Sequence, residues 1–188
     1  MNIDKAIVAW QQRLDSVTQK VNSEFGSLTA EQLNWKLSSE KWSIAEVLEH
    51  LNLVNASYEK VLTDAVNGKS DMGFTGRIGF VVKFLGKMIY DSVEPSRAKK
   101  MKTFPVWEPV QSDVSIAVLT EFKKHQALIK KLISESKQLL EKDIVIPSPA
   151  NRYIVYKLQK AVEIVVSHEE RHLNQALEVK ALVEITVD

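Results

Sequence analysis

Ile3, Ile7, Trp10, Leu14, Val17, Val21 and Phe25 recur at alternating spacings of three and four. That period belongs to a helix with one apolar seam, because strands alternate every second residue. The pattern returns three more times. Val47, Leu51, Val54, Tyr58, Val61 and Ala65 make a second seam. Val114, Val118, Phe122, Ile129, Leu132 and Leu139 make a third, and Leu158, Ala161, Val165, Ala176, Val179 and Val183 a fourth. A helix with one apolar stripe must bury it against another element. Four such helices of similar length predict an all-α chain, a four-helix bundle.

Punctuation sets the expected boundaries. Gly26 ends helix one, and Leu28 to Leu33 reads as a short helical turn. Ser43 and Glu46 form a capping-box pair that opens helix two, with Trp42 placed as a staple, and Asn67-Gly68 closes it. The stretch from Lys69 to Val110 is irregular: a short extra helix from about Arg77 to Tyr90, then a proline-bearing loop, together forming a long crossover. Helix three is expected from about Ser112 to Lys142, a loop at Pro147-Ser148-Pro149, and helix four from near Arg152 to about Leu182. With 188 residues the whole chain, 1–188, reads as one domain.

Composition narrows the function classes. Twenty-five Lys and Arg stand against 24 Asp and Glu, which lacks the basic excess of a nucleic-acid binder. There is no cysteine, so a metal must be held by His, Asp or Glu. No apolar run reaches membrane-spanning length and the start is not that of a signal peptide, so a cytoplasmic protein without stable membrane insertion is expected. Arg77, Lys83, Lys87, Arg97, Lys99, Lys100 and Lys102 outnumber Asp91 and Glu94 in the crossover. A solvated connection explains them; a rim attracting anions and a membrane-surface segment are the alternatives.

The chemistry concentrates in His168-Glu169-Glu170-Arg171-His172. Two histidines four apart lie within about 40° of each other on a helix, and here they fall inside the apolar stripe. A shared divalent cation would satisfy both; hydrogen bonding to other buried groups is the plain alternative. His50, at the edge of the second seam, can face them across a bundle core and complete a three-imidazole site. Gln175 follows one turn past His172, on the inward side. Glu169 is the candidate proton acceptor if it turns inward, and His125 on helix three the candidate fourth ligand or pocket residue. The string also fits H-E-x-x-H of zinc proteases, but Gln175 and Glu178 occupy the places where one protease class needs Gly and His.

Trp42-Ser43-Ile44-Ala45-Glu46-Val47-Leu48-Glu49-His50-Leu51 and His168-Glu169-Glu170-Arg171-His172-Leu173-Asn174-Gln175 together resemble the two signatures of the DinB-like four-helix-bundle superfamily. The resemblance covers nearly the whole chain. It implies a three-histidine site for zinc, nickel or a similar ion, at His50, His168 and His172. It also implies a small-molecule substrate, a homodimer and, for some relatives, thiol S-transfer in detoxification with a low-molecular-weight thiol as co-substrate. A non-enzymatic helical binding or scaffold protein, its site empty or structural, is the competing expectation.

Overall fold

The computed structural model describes residues 2–69, 76, 78–95, 103–109 and 113–187. Helix α1 runs Ile3–Phe25 and a short α2 Ala30–Asn34. Helix α3 covers Ile44–Val66, α4 Gly79–Val93, α5 Val118–Glu135 and α6 Lys137–Lys142. A hairpin of β1, Val145–Ser148, and β2, Asn151–Lys157, leads into α7, Leu158–Val187. Helices α1, α3, α5 and α7 form a four-helix bundle, with α3 and α1 each packed against both α5 and α7.

The periodic seams face the core as expected. Every residue of the first seam is buried, and Leu14 and Phe25 are wholly enclosed. Ser43 accepts from the Glu46 N–H while the Glu46 side chain accepts from the Ser43 N–H, so α3 begins with the expected reciprocal cap. At its other end Gly68 takes φ +69°, a conformation in which a side chain is strained. A polar clamp ties α1 to α7: Arg13 donates to Glu170 at 2.7 Å, to Ser167 at 3.1 Å and to Glu163, which also accepts from Trp10.

Three boundaries differ from the expectation. The third long helix begins at Val118 rather than Ser112: the Asn34 side chain takes up both the N–H and the carbonyl of Val114, and a turn at 115–117 leads into the helix. It breaks at Ser136, where ψ of +5° interrupts the ladder and separates α6 from α5. The fourth long helix begins at Leu158 rather than Arg152. Residues 145–157 form an antiparallel hairpin in which Ile146 pairs with Tyr156 and Pro147 with Val155, so Pro147 and Ser148 lie in a strand rather than a loop. A two-stranded ribbon has only edge strands, and there a proline costs little.

The extra helix expected near Arg77 to Tyr90 is α4. Arg77 itself and the basic stretch Arg97 to Lys102 lie outside the described residues. Helix α4 lies against β2 and α7, close enough that Gly86 approaches Tyr156. Among the described residues no helix is long and apolar enough to cross a membrane.

Candidate metal centre

Helix α3 brings His50, and α7 brings His168 and His172, to one point in the bundle. One nitrogen from each lies within 4.8 Å of the other two. Ring centroids are 5.0 Å apart for His50 and His168, 4.6 Å for His50 and His172, and 4.4 Å for His168 and His172. The i,i+4 spacing on α7 stacks two rings on one face, and the antiparallel approach of α3 supplies the third.

Backbone chemistry fixes the orientation of His50. Its Nδ1 lies 2.8 Å from the carbonyl oxygen of Trp107, which can only accept, so the proton sits on Nδ1 and Nε2 carries a lone pair. That lone pair faces His168 Nε2 at 3.1 Å. The Nδ1 atoms of His168 and His172 are buried without a hydrogen-bond partner. Protein hydrogen bonds alone therefore leave the cluster unsatisfied, and three neutral imidazoles without a thiolate are a donor set that suits a divalent cation.

The electrostatics agree. Burial pushes His50 down to about 4 and His172 down to about 3, the latter also through the neighbouring His50. His168 lies well below the ordinary histidine value, by burial first and then by the other two histidines. The rings of His168 and His172 face the cleft, where the surrounding protein displaces much of their water, so desolvation acts on them despite partial exposure. All three are thus unprotonated and able to donate lone pairs at neutral pH.

The cleft has a volume of about 1000 Å³. Trp42 forms part of its wall, its ring 5.0 Å from His50 and stacked on His172 at 6.2 Å. This places Trp42 at the site itself, beyond its role as a staple. Gln175 lines the cleft, as its position on α7 predicts.

Two candidates fall elsewhere. Glu169 is wholly buried and does not line the cleft; its Oε1 accepts from Asn55 at 2.9 Å and Gln126 at 2.7 Å. The helix turns it about 100° from His168, toward α3 and α5. It therefore belongs to a core network, where burial raises it to about 7, and the proton-accepting role expected of it is not supported. His125 pairs with Glu59 at 2.7 Å and likewise does not line the cleft. Sequence reasoning missed Trp107, whose contribution is a backbone carbonyl and so leaves no side-chain signal. It also missed Asn55 and Gln126, which only the meeting of three helices joins to Glu169.

Comparison with known proteins comes at three levels. A family model described as the DinB superfamily matches residues 13–176, a span that holds all three histidines. The uncharacterized protein YuaE of Bacillus subtilis (strain 168) is 26% identical over 165 residues, 86% of this chain and 91% of its own. Among solved structures, YfiT from Bacillus subtilis is similar with a TM-score of 0.55, covering 95% of this chain and 87% of that one at 15% identity. It is described as a probable metal-dependent hydrolase with an unusual four-helix bundle topology. At that identity the likeness is one of fold.

Proposed function

Because the chain belongs to the DinB superfamily, we propose that it is a divalent-metal-dependent enzyme acting on a small molecule, with His50, His168 and His172 as the metal ligands. The observation that supports this most is the meeting of three unprotonated imidazoles beside a cleft large enough for a substrate. Zinc and nickel are the ions the donor set favours, with availability deciding between them.

A divalent cation held by His50, His168 and His172 would supply Lewis acidity to a thiol or water. The chain supplies the rest. The Trp107 carbonyl holds the His50 proton on Nδ1 and leaves Nε2 free to coordinate. Trp42 covers His50 and His172 and keeps water off that side. Gln175, in the cleft wall one turn past His172, hydrogen-bonds the His172 side chain and so helps to orient that imidazole. Both thiol S-transfer to an electrophile and hydrolysis fit this equipment. We favour S-transfer in a detoxification role, with a low-molecular-weight thiol as co-substrate and a homodimer as the working form; the description of YfiT favours hydrolysis.

Metal analysis of untagged protein tests the reading. About one divalent ion per chain is expected, and His168→Ala should lose it. Metal retained at wild-type stoichiometry in that variant would overturn the assignment. An intact fold with no metal would favour a binding or scaffold module. Screening the metal-loaded protein with several thiols, electrophiles and esters separates transfer from hydrolysis.

A further inference from the structure

The histidines stand partway along the cleft rather than at its end. Helices α3 and α7 run in opposite directions here. His50 meets His168, whereas Tyr58, two turns further along α3, meets Tyr156 just before α7 begins. Tyr58 therefore lies about 12 Å beyond His50 along the helix, and Ile164 about 6 Å before His168. In the other direction α7 continues through Gln175 and Glu178, and Glu40 and Lys41 approach the start of α3.

The two arms differ in chemistry. Val54, Ile154 and Ile164 wall the arm toward Tyr58, and Ile89 lies one turn along α4 from Gly86, which packs on Tyr156. The charged lining residues fall elsewhere by chain order. Glu108 and Arg171 adjoin Trp107 and His172 at the level of the site, while Glu40, Lys41 and Glu178 belong to the opposite arm. At the closed end of the apolar arm the Tyr58 and Tyr156 hydroxyls are 2.7 Å apart, and the Ser148 hydroxyl interacts with that of Tyr156. Burial raises both phenols above the ordinary tyrosine value, so they stay neutral. Such a chain of hydroxyls can turn either a donor or an acceptor toward a guest, but an apolar wall around it excludes a charge, since an unpaired buried charge is strongly disfavoured.

We propose that the arm ending at Tyr58 receives an uncharged, elongated apolar part of the substrate that terminates in a hydroxyl or carbonyl group. The reacting end stands at the histidines, and any charged part lies toward Lys41 and Glu178. This assignment rests on the metal-site reading above and names the substrate class for it. It makes the protein selective for amphiphilic molecules with one apolar and one charged side.

Titration of 1-octanol into metal-free protein, followed by tryptophan fluorescence, to which the cleft residues Trp35, Trp42 and Trp107 contribute, tests the arm without any metal. Saturable binding is expected, tightening about fourfold per methylene from 1-hexanol to 1-octanol. 1,8-Diaminooctane, which must carry an ammonium to the end of the arm, should bind at least about tenfold more weakly than 8-amino-1-octanol, which can keep its one charge outside. Tyr58→Phe should weaken 1-octanol about fivefold, and Val54→Phe should remove the gain with chain length. Ile154→Phe replaces Val54→Phe if that variant loses helicity. Equal binding of 1,8-diaminooctane and 8-amino-1-octanol, or wild-type affinity in the folded variants, overturns the proposal. Acetohydroxamate on zinc-loaded wild-type protein reports on the histidine site separately. If it binds and octanol does not, the arm is wrong and the metal reading survives; the reverse outcome rejects the metal reading and leaves the arm supported.

Discussion

Replacing Ser57 with Ala should weaken metal binding although Ser57 is not a ligand. Its Oγ accepts the Trp107 indole N–H at 3.0 Å and donates to the Leu53 carbonyl at 2.8 Å, so it tethers Trp107 to α3. Trp107 in turn orients His50 through its carbonyl at 2.8 Å. The tether matters because Phe104 and Val106 before Trp107 are exposed, and the contacts of Phe104 with Trp107, an edge-on ring pair at 5.6 Å and a backbone bond at 2.9 Å, stay within the same short segment. Losing one neutral hydrogen bond removes on the order of 1 kcal/mol, about fivefold in an equilibrium constant. Removing groups that orient a metal-binding imidazole weakens affinity about 10- to 100-fold. Since His50 itself still holds the Trp107 carbonyl, the low end applies, and zinc affinity should fall about five- to tenfold. Competition against a chromophoric chelator at neutral pH reads this directly, and Ser57→Thr, which keeps the hydroxyl, should stay within about twofold of wild type. Wild-type affinity in a folded Ser57→Ala protein, beside loss of zinc in His168→Ala, would refute the claim that Trp107 positions His50.

Further predictions concern pH. In the metal-free protein His50 titrates near 4 when folded and near 6.5 when unfolded, so its contribution is intact above 6.5 and lost as pH falls toward 4, on the order of 3 kcal/mol. His172 and His168 shift the same way, so denaturant melts should show falling stability over that range, and flat stability would contradict it. Glu169 acts in the opposite sense: raised to about 7 when folded, it disfavours the fold increasingly as pH rises from 4.5 to 7. Glu169→Gln keeps an oxygen for Asn55 and Gln126 and removes that penalty. It should be more stable than wild type at pH 8 by on the order of 2–3 kcal/mol, with little difference at pH 4.5. An equal difference at both pH values would show that the carboxyl does not titrate there.

The bundle was legible in the sequence because each long helix buries a single stripe, and a stripe of period 3.6 survives in the order of residues. The Ser43–Glu46 cap was legible for the same reason: both partners lie within one turn. The histidine pair on α7 is a local spacing too, and the seam on α3 already aimed His50 inward. What escaped depends on distant partners. Nothing near Val114 announces that Asn34 takes both its backbone groups, so α5 begins later than its pattern suggests. Arg152 to Tyr156 mixes strand-prone residues with a plausible helical continuation, and only pairing with Val145 to Ser148 selects the strand. Glu169 shows a third kind of miss. Its helical angle already turns it about 100° from His168, and only the packed bundle shows that Asn55 and Gln126 receive it there.

X-ray absorption at the zinc edge of the zinc-loaded protein addresses the shared cation most directly. Scattering from three imidazoles with nitrogen at about 2.0–2.1 Å is predicted for the wild type, falling to two in His50→Ala. A spectrum with fewer than two imidazoles, or one that His50→Ala leaves unchanged, would contradict a metal centre built jointly by α3 and α7.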